Sequence, residues 1–272
     1  EFELDPLIAQ ELLARSFRSK VERRGDVLYI ILHFPTARGH TATDHEIDFV
    51  VGKNFLITTR YEGVDPLHAF ATAFEAKHVL GRATATHGGH LFIEMMQSLY
   101  QSLIDHSEYI GRKLSDIEDK IFKGNERQMV AEISHIGRAI HDFRRALLPH
   151  REMLISLEPV AGRFFGTEFG YHVQSVLGTY MRVERDIDAV RESLVELRET
   201  NNSLLSTKQN EIVKNLTVVA FVFLPLSFIA SLFQMNTENP IVGIPGDFWI
   251  VLGGMGLVAV SCFLYFKHKK WL

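Results

Sequence analysis

A solute that carries charge but needs no cofactor can be handled by oxygen atoms set in a row, and the sequence holds such a row. Alternating steps of three and four from Ser203 reach Ser206, Asn210, Val213, Thr217, Ala220, Leu224, Ser227 and Ser231. These are small or mildly polar residues at the spacing of one helical face. The other faces of the same stretch carry Val218, Val219, Phe221, Val222, Phe223, Leu226, Phe228, Ile229, Leu232 and Phe233, all large and apolar. No charged side chain falls between Lys214 and Glu238. A path along this stripe handles cations with neutral oxygens and keeps its acidic groups for the two mouths. Such groups stand at both ends: Asn236, Glu238 and Asp247 beyond the stripe, and Glu199 about one turn before Ser203. Two readings of the stripe stand. It is a cation path, or it is a dry helix contact in which Asn210, Thr217, Ser227 and Ser231 satisfy one another. Glu199 is either one member of an acidic ring or a solvated carboxylate beside Glu192 and Glu196.

Other candidate chemistry is thinner. Among 13 histidines the tightest pair is His87-Gly-Gly-His90, read as a glycine-rich turn with exposed imidazoles, since zinc needs further ligands that the local sequence does not offer. His135 and His141 do not share a helical face. Asp116, Glu118 and Asp119, and Glu184, Asp186 and Asp188, read as solvated helix faces, with metal attraction as the lesser alternative. Nucleophile elbow, phosphate loop and HExxH are all missing, so no enzymatic activity and no cofactor are expected. The single Cys262 rules out an intramolecular disulfide and a cysteine-based zinc site. A net charge of −4 without a basic block argues against a nucleic-acid partner.

The stripe must be positioned by an element that crosses a bilayer. Although 46% hydrophobic and 23% charged residues make an ordinary average over 272 residues, the apolar excess sits in the last fifth. There, 23 residues between Lys214 and Glu238 and 19 between Asp247 and Lys267 carry no charge, which predicts two spans. Neither Gly nor Pro occurs from 179 to 224, 46 residues that as a helix reach roughly 70 Å against a bilayer core of about 30 Å. The first span is thus the tip of a long stalk. Ile187, Val190, Leu194, Leu197 and Leu204 keep near-heptad spacing along it, with Asn201 at the skipped position. The short link Thr237 to Asp247 makes an antiparallel hairpin. Lys208 and Lys214 precede it and Lys267, Lys269 and Lys270 follow it, while the link has no Lys or Arg. Both termini are therefore expected in the cytosol. Two spans cannot enclose a path alone, so several copies around an axis are expected.

The front half reads as a small mixed α/β domain with long helices attached. After a polar, helix-compatible opening from Asp5 to Arg24, Val27 to Phe34 has the β-branched and aromatic content of a strand. Glu46 to Val51 and Asn54 to Thr59 form a hairpin about Gly52-Lys53, with apolar Ile47, Phe49 and Val51 alternating against Glu46 and Asp48. Helical spacing runs from Asp65 with a break at Gly88-Gly89, then over His90 to Phe122 and over Glu126 to Leu157, where Pro149 predicts a kink. The chain opens on Glu1 and Phe2 without an initiator Met, which reads as a trimmed start or a cloning scar.

Several runs resemble the CorA metal-ion transporter family: Asn210 to Thr217 (NEIVKNLT), Phe223 to Ala230 (FLPLSFIA), Met235-Asn236, and the terminal Lys267 to Leu272 (KHKKWL). Gly52 to Thr58 (GKNFLIT) resembles the strand pair of the same family's cytosolic domain. The resemblance implies an α+β chain: a cytosolic α/β/α domain, a long stalk helix continuing into a two-span transmembrane hairpin, and a funnel-shaped homopentamer. Its divisions fall at 1–165 for the cytosolic domain, 166–211 for the stalk and 212–235 for the pore-lining first span. A periplasmic loop at 236–247, a second span at 248–267 and a basic tail at 268–272 complete it. It also implies channel-like movement of hydrated Mg²⁺ and other divalent cations across the bacterial inner membrane, with the lipid bilayer and further copies of the chain as partners. The family's pore-facing positions fall on Asn210, Val213, Thr217, Ala220, Leu224, Ser227 and Ser231, the stripe already derived.

Three departures qualify the match. Gln234 stands where the family's outer Gly-Met-Asn motif has glycine, so the mouth is Gln234-Met235-Asn236, flanked by Glu238 and Asp247. The link ending Gly243 to Trp249 (GIPGDFW) resembles the ZntB branch, associated with zinc. The stalk positions that carry regulatory acidic residues in magnesium members fall near Ser175 and Gly178, without paired carboxylates. The open alternatives are a zinc transporter, proton-coupled or not, and a non-conducting oligomeric scaffold in which Gln234 closes the mouth.

Overall fold

A computed structural model describes residues 4–16, 18–38, 41–61, 63–79, 87–234, 247–269 and 271. The chain divides into two units, Glu1–Thr200 and Asn201–Leu272.

The first unit opens with α1 (Pro6–Glu11), capped by Asp5, whose carboxylate accepts from the Leu7 N–H. Four strands follow, β1 (Lys20–Arg24), β2 (Val27–Arg38), β3 (Thr41–Gly52) and β4 (Leu56–Arg60), as an antiparallel meander in the order β1-β2-β3-β4. The expectation of a helix-compatible opening through Arg24 is corrected: helix ends at Glu11, and Lys20 to Arg24 is an edge strand. Its polarity misled because Lys20 and Arg24 of that strand pair with Glu11 of α1. Gly25, at φ 59°, starts the tight turn between Arg24 and Val27 and supplies the left-handed conformation that turn needs.

The second hairpin is also shifted from expectation. Gly52 N–H bonds the Phe55 carbonyl at 2.9 Å, so the turn centres on Lys53-Asn54 rather than Gly52-Lys53. Glycine is required at 52 for space: a Cβ there would sit 2.5 Å from the Phe55 ring.

Both faces of the sheet are covered. On one, Tyr29, Ile31 and Val50 pack with Ile8 of α1, with Leu4, Leu12, Val27, Phe55 and Ile57 around them. The other face carries Phe34 and Phe49, which meet Tyr100, His150 and Phe92 of two long helices. Glu46 and Asp48, the polar members of the alternation, are therefore covered as well. They are 2% and 1% exposed beneath α1.

α2 (Asp65–Val79) precedes α3 (Gly88–Lys120), and a π-helical turn (Ile121–Asn125) leads into α4 (Glu126–Phe165). Gly124, at φ 97°, turns the chain back. Contacts His106–Phe143 and Tyr100–His150 then set α3 and α4 antiparallel. α4 runs as one helix past Leu157, with Pro149 and Pro159 inside it. α5 (Phe169–Gln234) lies parallel to α3, with Ser175 beside Gln97 and Val190 beside Gly111. Val173, Val176, Tyr180, Val183, Ile187, Leu194 and Leu197 bury its inner stripe, which includes Ile187, Leu194 and Leu197 of the near-heptad series.

The second unit holds the rest of α5 and α6 (Asp247–His268). Both helices are long and apolar enough to cross a membrane. Phe221 meets Phe266 edge to face at 6.0 Å, and Phe266 also stacks with Trp271.

Candidate functional site

α5 is 66 residues long, about 100 Å of helix, and its last third builds the candidate path. An apolar helix must satisfy every polar group within itself. Thr217 does so by donating its hydroxyl to the Val213 carbonyl at 2.7 Å. Pro225 does the reverse, because it has no N–H and leaves the Phe221 carbonyl one turn back without its helical donor.

Asn210, Val213, Ala220, Leu224, Ser227 and Ser231 are exposed on this helix and Thr217 is partly buried. The large apolar faces are open too, with Phe221, Phe223 and Phe228 all exposed. One hairpin thus covers neither class of surface, and the two faces differ in chemistry alone. Lipid accepts the phenylalanines at no cost; hydroxyl and amide groups need water or one another.

At the C-terminal end of the stripe, Gln234 is the last residue of α5 and Asp247 the first of α6. Met235, Asn236 and Glu238 lie outside the described residues. At the other end Glu199 is exposed on α5 within the first unit. Among the described residues no carboxylate pair stands around Ser175 and Gly178: Ser175 Oγ accepts from Gln97 Nε2 at 3.3 Å, and none lies within 4 Å of a Cβ built on Gly178.

The His87-Gly-Gly-His90 segment departs from the exposed turn expected of it. Gly88 and Gly89 are buried as the first residues of α3, and His87 caps them, its Nδ1 accepting from the His90 N–H. Glycine is obligatory at 88, where a Cβ would come within 2.3 Å of the Phe55 carbonyl. The His87 and His90 rings stack at 4.0 Å, Phe165 lies over His87, and His172 of α5 meets His90 edge-on at 5.0 Å. Burial, then the neighbouring His90 and His172, hold His87 below the usual imidazole range. Among the described residues no three His, Cys, Asp or Glu side chains are placed to hold a metal ion.

The acidic clusters behave as solvated faces. Asp116, Glu118 and Asp119 are exposed, while Asp188 and Asp186 pair with Arg144 and Arg182. His135 takes a hydrogen bond from Arg138.

Two polar clusters in the first unit escaped the sequence reading. Buried His150 accepts from the Tyr100 hydroxyl, and burial holds its pKa down at about 4. Buried Glu46 and Asp48 lie on one face of β3, where burial and then the Glu46 charge push Asp48 up to about 7. Charged residues within a strand flanked by apolar strands were the available signal for the second.

Comparison with known proteins extends over the whole chain. A family model described as CorA-like Mg²⁺ transporter protein matches residues 1–268. The cobalt/magnesium transport protein CorA of Thermotoga maritima is 24% identical over 277 residues, covering 100% of this chain and 78% of that protein. The zinc transport protein ZntB of Yersinia enterocolitica is 22% identical, covering 99% of this chain and 81% of that one. In fold, the CorA magnesium transporter from Methanocaldococcus jannaschii superposes with a TM-score of 0.82 at 21% identity, covering 93% of this chain and 80% of that chain.

Proposed function

The chain belongs to the CorA-like Mg²⁺ transporter family, and from that premise we propose that it works as a homopentamer in the cell inner membrane, moving Mg²⁺ and other divalent cations. Residues 1–165 form its cytosolic domain and 166–211 its stalk. Residues 212–235 and 248–267 span the bilayer around an outer loop at 236–247, and the basic tail 268–272 returns to the cytoplasm beside the N-terminus. The pore is lined by Asn210, Val213, Thr217, Ala220, Leu224, Ser227 and Ser231. Gln234, Met235 and Asn236 form the outer mouth, Glu238 and Asp247 its anionic rim, and Glu199 the inner acidic ring. The metal is cargo, held through its hydration shell at Asn236, and no resident cofactor takes part.

What carries this reading is the exposed stripe of small and polar side chains on an otherwise apolar helix face of α5. Five copies would turn those stripes toward one axis and leave the phenylalanines to lipid. A neutral, oxygen-lined path suits a cation that keeps its water, because a serine or amide can hydrogen-bond first-shell water without stripping it.

A zinc transporter is the second reading, favoured by the link sequence Gly243 to Trp249 and by the ZntB relatives. Purified protein in proteoliposomes, loaded with a metal-sensitive dye and given Mg²⁺ or Zn²⁺ with and without a pH gradient, separates the two. Flux of Mg²⁺ without a gradient supports the first, and Zn²⁺ flux that requires one supports the second. No flux of any divalent ion sinks both and leaves the non-conducting scaffold.

A further inference from the structure

Beneath α1 the sheet carries chemistry that the cation path does not use. Glu46 and Asp48 follow one another on the same face of β3, both buried. Both Glu46 carboxylate oxygens take the Ser16 N–H, at 2.8 and 2.9 Å, so this side chain fastens the segment that trails α1. Asp48 Oδ2 accepts from the Thr59 hydroxyl of β4 at 3.3 Å and the Tyr29 hydroxyl of β2 at 3.5 Å. Its other oxygen, Oδ1, is buried with no hydrogen-bond partner among the described residues. An ionised carboxylate is not left half-solvated beside a second one without cost, whereas a protonated one supplies its own donor.

We propose that Glu46 and Asp48 are a proton-operated latch, holding α1 and residues 12–16 on the sheet while Asp48 carries a proton and loosening them when it is ionised. The reason is the cover itself. Residues 6–16 are what keep water from the two carboxylates: Ile8 seals the apolar side, the Leu12 carbonyl accepts from the Tyr61 hydroxyl, and Ser16 sits on Glu46. A second negative charge under that lid gains by letting water in, and lifting the lid is the cheapest way to do so. Asp48, pushed up to about 7 by burial and by Glu46, changes state near neutrality.

The groups around the pair do not supply the missing countercharge. His33 of β2 donates its Nε2–H to the Ser16 carbonyl and meets the Ser19 hydroxyl at Nδ1, with Nε2 3.5 Å from Glu46. Tyr29 is held well above the usual phenol range and stays neutral. Glu11 of α1 is committed to Lys20 and Arg24, and Lys20 lies over the Tyr29 ring at 4.9 Å. Arg15 reaches the Asp44 carbonyl. His33 is the one other titratable ring in contact with Glu46, so the test must separate it from Asp48.

The test is amide hydrogen exchange of residues 6–16 in the full chain in detergent, expressed as protection relative to the unfolded peptide at pH 6 and pH 8.5. In the wild type, protection is expected to fall about tenfold over that interval, roughly the effect of one ionisation. Asp48→Asn should abolish the fall and keep the segment protected at both values. His33→Gln should retain it. Glu46→Gln, whose amide oxygen still accepts from Ser16, removes the neighbouring charge and should move the loosening to lower pH; this variant decides the matter where Asp48→Asn does not fold. A flat wild type, a fall that survives in Asp48→Asn, its loss in His33→Gln, or an unmoved midpoint in Glu46→Gln each overturns the latch. Cation flux plays no part in the readout, so the result stands apart from the transport reading.

Discussion

The Tyr100 hydroxyl donates to His150 Nδ1 at 2.8 Å, with both side chains fully buried. The other ring nitrogen, Nε2, lies 3.0 Å from the His33 carbonyl, so one imidazole ties α3, α4 and β2 together. Only the neutral tautomer with its proton on Nε2 satisfies both contacts. Tyr100→Phe removes the donor and leaves Nδ1 buried and unpaired, for an expected loss of about 1–3 kcal/mol in chemical denaturation.

The same ring makes stability depend on pH. His150 stays neutral in the fold down to about 4, while the unfolded chain takes the proton at 6.5, so its contribution is present above 6.5 and lost as pH falls toward 4. Asp48 works oppositely. Its proton is kept in the fold up to about 7 but released near 3.8 when unfolded, so stability declines as pH rises through that interval. The two slopes oppose each other between about pH 4 and 6.5. Asp48→Asn should unmask the histidine, giving an unfolding free energy that climbs with pH at up to about 1.4 kcal/mol per unit, and a melting temperature that climbs with it. Melts of the full chain at pH 4.5, 5.5 and 6.5 check this, and a variant as flat as the wild type refutes it.

Helices with one apolar stripe were legible in sequence because period and burial coincide: Phe92, Leu99, Leu103, Ile133, Ile140 and Leu147 are all buried where spacing placed them. β1 was not legible, since Lys20 and Arg24 are held by Glu11, which lies earlier in the chain on α1. The burial of Glu46 and Asp48 was not legible for a related reason. Alternation marks one face as polar but cannot say that α1 will fold over it. The stripe from Asn210 to Ser231 was readable as chemistry; its surroundings depend on other copies, which one sequence does not position.

Leu224 and Val213 are the bulkiest members of that stripe and both are exposed on the single helix. In the proposed assembly they would form the narrow apolar rings, which close by dewetting. Leu224→Ala should raise leak severalfold in a proteoliposome flux assay. A fall in conductance means the stripe faces elsewhere.

Assembly and conduction should separate at Asn236. Native mass spectrometry in mild detergent is expected to give the pentamer for both the wild type and Asn236→Ala, because Asn236 contacts hydrated cation rather than a neighbouring chain in the proposed arrangement. Uptake by the variant should be abolished. A clean monomer or dimer rejects the oligomer, and undiminished flux with an intact pentamer rejects the role of the amide.

Regulation and metal choice meet in the stalk. In the proposed arrangement Ser175 and Gly178 fall where the family resemblance puts a cytosolic ion between subunits, yet Ser175 is bonded to Gln97 and Gly178 offers no side chain. A hard divalent cation binds through several carboxylate oxygens, and one hydroxyl does not replace them. Millimolar Mg²⁺ should therefore leave both the thermal stability of the oligomer and its trypsin resistance unchanged. In the proposed arrangement cation attraction then rests on carboxylates, Glu199 inside and Glu238 and Asp247 outside. Their fields are screened over about 8 Å at physiological ionic strength. Such rings concentrate divalent ions without choosing among them, so flux of Mg²⁺ should be shared or competed by Zn²⁺, Co²⁺ and Ni²⁺. Glu238→Gln should slow uptake mainly at low salt. Strong protection from trypsin by Mg²⁺ would contradict the first expectation, and Mg²⁺ flux indifferent to the other three metals would contradict the second.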